Sequence, residues 1–137
     1  MGALNLSTIR DGIVTALEAV PELKRRYNHD REELSDLPAT TLFWRGFGVQ
    51  DAVMPNTQDV PLRWALRLHV GLLQGEEVAQ EQIMDISEKV VDALYTNRDL
   101  GGTCLYHEVQ SGETVVYLSK DPKLIMEMTL LTYVRRK

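Results

Sequence analysis

The chain has 137 residues, 44% apolar and 26% charged, with a formal charge of −5. That is the make-up of one soluble globular domain, long enough to bury roughly 70% of its unfolded surface without a disulfide or metal staple. The acidic balance argues against a dedicated nucleic-acid binder, whose affinity comes from cations that neutralise phosphates. The single cysteine, Cys104, has no partner for an internal disulfide and suits a reducing compartment.

The start of the chain shows no cationic region followed by an apolar run, and no apolar stretch approaches the roughly 20 residues of a membrane span. The expectation is a cytoplasmic soluble protein. Ile9, Ile13, Ala16, Leu17 and Val20 recur at helical spacing and predict a first helix over residues 8–20, capped by Asn5 or Ser7 and ended by Pro21. Residues 22–36 read as an exposed connection. In it Lys24, Arg25 and Arg26 form a basic cluster before Asp30, Glu32 and Glu33 reverse the sign.

Pro38 introduces a strand over residues 39–44, rich in Thr and aromatics. Phe43, Trp44 and Phe47 are assigned to core packing rather than base stacking, because only Arg45 is interleaved with them. Gly46, Gly48, Pro55, Asn56 and Pro61 then mark residues 46–60 as a loop. Phe47, Val49, Val53 and Met54 give that loop an unusual apolar load. Two readings stand: the loop folds back on the core, or it is an arm that orders against a partner.

The strand over residues 62–73 alternates strictly. Trp64, Leu66, Leu68, Val70 and Leu72 take one side, and Arg63, Ala65, Arg67, His69 and Gly71 take the other. One face is buried; the second is left for water or a partner, with His69 exposed. Gly75 breaks the strand. A second helix is predicted over residues 76–95, with Ala79, Ile83, Ile86, Val90, Ala93 and Leu94 buried and its acidic faces solvated. Gly101 and Gly102 follow its end, where left-handed backbone costs glycine nothing.

Two short strands, 103–110 and 114–118, are predicted around a turn at Ser111, Gly112 and Glu113. A last strand over 124–134 turns Leu124, Met126, Met128, Leu130, Thr132 and Val134 inward. Its other side, with Ile125, Glu127, Leu131 and Tyr133, is mixed. The predicted order is α-β-β-α-β-β-β: an α+β two-layer sandwich, with two helices on one face of a mainly antiparallel sheet of about five strands. The whole chain, 1–137, forms a single domain.

Candidate chemistry is sparse. His29, His69 and His107 lie far apart, with no second ligand at helical spacing, and Cys104 lacks a CxxC partner, so no metal site is assigned. No nucleophile can be paired with a positioned base. The Gly101–Gly102 pair lacks the surroundings of a phosphate loop. No catalytic or cofactor-binding residue is assigned and no enzymatic activity is expected.

The layout as a whole resembles the tail terminator (tail completion) proteins of long-tailed bacteriophages. An N-terminal helix precedes Leu23–Lys24–Arg25–Arg26–Tyr27. Leu34 and Leu37–Pro38–Ala39 then enter the first strand. A Gly/Pro-rich loop leads to Arg63–Trp64–Ala65–Leu66–Arg67–Leu68–His69–Val70 and the long helix. The chain closes on Met128–Thr129–Leu130–Leu131–Thr132–Tyr133–Val134. The resemblance implies a structural virion protein, made in the bacterial host cytoplasm and located at the neck end of the tail. It would form a homo-hexameric ring that stops polymerisation of the tail tube protein and offers a surface to head-tail connector proteins. DNA would pass through the ring only transiently, and no membrane is involved. The interface candidates are Phe47, Val49, Val53, Met54, Arg63, Arg67, Ile125, Leu131 and Tyr133, chosen for mixed polarity and for want of an intradomain partner. Alternatives are another neck or head-tail connector protein, a small-ligand-binding α+β regulatory module, and, last, a small enzyme.

Overall fold

Helix α1 (Leu6–Ala16) passes into a single 3-10 turn (Leu17–Ala19) and ends at Val20, which is extended ahead of Pro21. The computed structural model describes residues 5–29, 36–47, 59–117 and 122–135. The predicted stripe is real: Ile9, Ile13, Ala16, Leu17 and Val20 are all buried. Asn5 occupies the cap position but makes no side-chain capping bond. Ile9 N–H donates to its backbone carbonyl instead.

Among the described residues, five strands form one sheet: β1 (Arg25–Arg26), β2 (Ala39–Phe47), β3 (Asp59–Gly71), β4 (Tyr106–Tyr117) and β5 (Lys123–Arg135). Their spatial order is β1-β2-β3-β5-β4. The β1–β2 pair is parallel and the other three pairs are antiparallel. Helix α2 (Glu76–Thr96) lies between β3 and β4 in the chain and presents Ala79, Ile83, Ile86, Val90 and Leu94 to the core.

The class is α+β. Both helices lie on one face of the sheet, sharing a single core with Leu42 of β2, the even-numbered residues Leu62 to Val70 of β3, and Leu124, Met128 and Leu130 of β5. Burying each large apolar side chain contributes about 1.5–3 kcal/mol, so this shared stripe is the main source of stability. Trp64, at 1% exposure, also satisfies its polar edge: the indole N–H donates to Thr132 Oγ1 at 3.0 Å.

The element order departs from the sequence expectation at three places. The predicted hairpin at Ser111–Glu113 is one continuous strand, β4, bulged between Val109 and Ser111. Turn-type residues are tolerated there because Ser111, Gly112 and Glu113 pair with Thr129, Met128 and Glu127 of the long strand β5. Next, the supposed exposed connection after Pro21 contains the edge strand β1 and buries Leu23. Lastly, β2 and β3 reach beyond their predicted ends, to Phe47 and back to Asp59. This takes residues 46, 47, 59 and 60 out of the expected loop; residues 48–58 lie outside the described ones. The peptide bond between Leu37 and Pro38 is cis.

The end of α2 and its return to the sheet are tied by side chains. Asn97 Oδ1 accepts the Gly101 N–H at 3.0 Å, and Asp99 O accepts N–H groups from Gly102, Thr103 and Cys104. Gly101 and Gly102 take positive φ angles of 73° and 84°, as their sequence position predicts. The buried His107 closes the end: its Nε2 lies 2.6 Å from Leu94 O and 3.1 Å from Asn97 O, and the ring stacks on Tyr95. Those two carbonyls also accept the backbone N–H groups of Asn97 and Leu100, so the imidazole adds a second contact to each.

Candidate functional site

The sheet face opposite the helices carries a layered array. Across β2, β3, β5 and β4 its rows read Thr41–Arg67–Glu127–Glu113 and Ala39–His69–Ile125–Val115. Arg63 is level with Leu131 and Glu108, and Pro61 with Tyr133 and Tyr106. At the centre sits Ala65, whose small side chain leaves room for longer neighbours.

Those neighbours interlock. Glu127 Oε1 accepts from Arg67 Nε at 2.6 Å and from Arg45 Nη2 at 3.2 Å. Both guanidinium groups also lie on the Phe43 ring, 4.8 Å (Arg67) and 5.0 Å (Arg45) from its centroid. Partial burial of Glu127 opposes its ionisation, but the hydrogen bond and charge of Arg67, helped by Arg45, outweigh it and hold the carboxyl below its ordinary range. Arg63, on the same face, pairs with no carboxylate among the described residues.

At the β4 side, Tyr133 stacks on Tyr106 with ring centroids 4.5 Å apart, and its hydroxyl donates to Glu108 at 3.0 Å. Burial first, and then the adjacent Glu108 carboxylate, pushes the Tyr133 phenol up to about 12.

The helix-free face is not uniformly wet. His69, expected to be exposed, is 2% exposed, with its Nε2 2.9 Å from Thr41 Oγ1. Lys123, Thr41 and Ala65 are buried too. Of the interface candidates, Arg63, Arg67, Ile125, Leu131 and Tyr133 do share this face. Leu131 is buried, whereas Arg63, Arg67, Ile125 and Tyr133 are half-buried. Arg67 and Tyr133 do not lack partners within the chain, contrary to the reason for choosing them. Phe47 lies elsewhere: it pairs with Leu62, on the helix side of the sheet, and is 59% exposed. Its ring meets Trp44 edge-on at 5.5 Å, so this pair is not core as expected; Trp44 is 40% exposed. Val49, Val53 and Met54 lie outside the described residues.

Sequence reasoning missed Phe43, Arg45 and Glu127 as one cluster with Arg67. Parity alone puts Arg67 and Glu127 on one face, but they are 60 positions apart and only strand order makes them neighbours. His107 left no local signal either, because the helix end it closes is reached through a turn.

Two further surfaces stand out. An open groove of about 390 Å³ runs between α1 and the residues after β1, lined by Asp11, Val14, Thr15, Arg26, Tyr27, Asn28 and His29. At the far edge of the sheet, residues 112–116 of β4 are exposed without a break, with Val115 at 50% and Val116 at 48%. Among the described residues no group of three or more His, Cys, Asp or Glu is placed to hold a metal ion, and no helix is long and apolar enough to cross a membrane. Comparison of the chain with protein-family models and with curated proteins gives no match.

Proposed function

We propose that this chain is a non-enzymatic building block that assembles into a ring, of the kind that caps the tail tube of a long-tailed bacteriophage. In that role it ends tube polymerisation and presents a surface for joining the head. One observation carries the reading. Among the described residues, the helices cover one face of a five-stranded sheet, and the other face carries an ordered array of arginines, tyrosines and aliphatic side chains with no helix packed over it. The exposed Trp44–Phe47 pair and the exposed end of β4 add apolar surface of the sort that subunit contacts use.

Electron microscopy of the assembled protein tests this. Six-fold rings about one domain thick are expected, and adding the protein to polymerising tube subunit should arrest tube growth. Persistent monomers at millimolar concentration, together with unchanged tube length, would rule the reading out. Binding to the head portal rather than to tube ends would favour a connector protein of the neck. The groove beside Asp11 and Tyr27 favours a second reading, a regulatory module for a small ligand. A rise in melting temperature on screening small metabolites would support it.

A further inference from the structure

We infer that copies of this chain join head to tail through opposite edges of the sheet, with the exposed end of β4 in one copy laid antiparallel along the Lys24–Arg26 edge of the next. This inference rests on the ring reading and specifies the contact that would build the ring.

An open sheet has two edges, and here they differ. One is β4, a strand of 12 residues hydrogen-bonded only to β5 among the described residues. Such an edge offers a row of backbone donors and acceptors to an added strand. The other edge, among the described residues, is β1, two residues long. Contact between two copies of the same edge is isologous and closes at two subunits. Contact between different edges repeats, and it generates a ring when the rotation closes.

The strand directions and registers suit the second arrangement. β1 runs parallel to β2, and the three following pairs alternate, so β1 and β4 are antiparallel to each other. The rows also match in height. Arg25 is level with Ala39, His69, Ile125 and Val115, and Arg26 is level with Thr40, Leu68, Met126 and Thr114. The short basic edge therefore lies opposite the very part of β4 that is exposed. Carrying the rows straight on into a neighbour places Arg25 beside Val115 and diagonal to Glu113 on the helix-free face, within reach of a long side chain.

Charge favours the same pairing. Lys24 and Arg25 are exposed on one edge, and Glu108 and Glu113 on the other. The Arg25 guanidinium holds Asp36 at 3.0 Å, but both side chains are well exposed, and an ion pair in that setting is weakly held and readily exchanged. A head-to-tail contact brings opposite signs together at every junction, whereas β4 against β4 would bring Glu113 toward a second acidic strand.

The test uses charge reversal read by native mass spectrometry on the full chain. Glu113→Lys alone, and Arg25→Glu alone, should each weaken assembly by at least about tenfold. Mixing the two variants should restore it, because each junction then carries either the original pair or its reversed form. A wild-type assembly that both variants form equally well overturns the edge contact and leaves the ring reading standing. A wild-type species that stops at two subunits also overturns it. Wild-type monomer at all concentrations, alone and with the tube subunit, overturns both. If either variant fails to fold, Arg25→Cys combined with Val115→Cys decides the matter. Oxidation should give a ladder of cross-linked oligomers, and monomer alone would sink the contact.

Discussion

Arg67 on β3 and Glu127 on β5 are directly paired across the sheet, and the arginine Nε lies 2.6 Å from the carboxylate on the face opposite helices α1 and α2. The pair stands between Phe43 and the β4 edge and orders the middle of that face. Because Arg45 also binds Glu127, one carboxylate aligns two guanidinium groups over one aromatic ring.

The pair gives stability a definite pH dependence. The Glu127 carboxyl is held below its ordinary value of 4.5 in the folded chain, so its contribution is fully present above that value. It is lost as pH falls below 4.5 through the lower folded value, because the unfolded chain then takes up the proton first. Replacing Glu127→Gln should cost about 0.5–1 kcal/mol near neutral pH, the range for a partly exposed pair. The difference from wild type should shrink steadily in acid. Denaturant melts at a series of pH values measure it, and a constant difference down to strong acid would contradict the assignment.

Gly12 is a contact point rather than a flexible one. A Cβ there would lie 2.7 Å from Leu100 O and 2.8 Å from Thr103 Oγ1, where α1 meets the loop after α2. Alanine is the better helix former by roughly 1 kcal/mol. Overpacking of about 1–3 kcal/mol against a backbone oxygen should outweigh that gain, so Gly12→Ala should lower the melting temperature. A raised melting temperature would show that α1 can shift away.

His107 closes α2, and replacing it should open the helix end. His107→Phe keeps a ring against Tyr95 but removes the imidazole contact to the Leu94 and Asn97 carbonyls, which keep their backbone N–H partners, an expected loss of about 0.5–1.5 kcal/mol. Hydrogen exchange should quicken in the last turn of α2 before it changes in β3. Uniformly faster exchange throughout the chain would instead mark His107 as a general packing residue.

Cys104 should be slow to react. Burial first, and the nearby Asp99 charge second, push its thiol up to about 11, so almost none is thiolate at pH 8. Maleimide labelling of the folded protein should be slow and should speed up sharply on unfolding. Rapid labelling under native conditions would mean that the 99–104 turn opens far more readily than its hydrogen bonds suggest.

Trp44 and Phe47 can be separated from stability. Both are exposed at the end of β2, so Phe47→Ser should move the melting temperature by no more than a few degrees, as surface changes do. Under the ring reading it should weaken subunit association, measured by sedimentation. A large loss of stability without loss of assembly would return Phe47 to the core.

Patterns repeating within one element were readable from the amino-acid order alone. The stripe from Ile9 to Val20, the stripe from Ala79 to Leu94, and the alternation from Leu62 to Val70 each lie in a single helix or strand, where side-chain direction follows from backbone period. These stripes sufficed for the α+β class and for the side of the sheet on which the core lies. Whatever depended on a partner distant in the chain was decided by tertiary structure. Turn-type residues at Ser111–Glu113 became strand because β5 supplied a ladder, and His69 became buried beside Thr41 of another strand. Arg67 found Glu127, and the basic residues at 24–26 came level with the far end of β4, only once five strands took one particular order. Local periodicity determines which way a side chain points. What it meets there is set by long-range pairing, which no short stretch of sequence encodes.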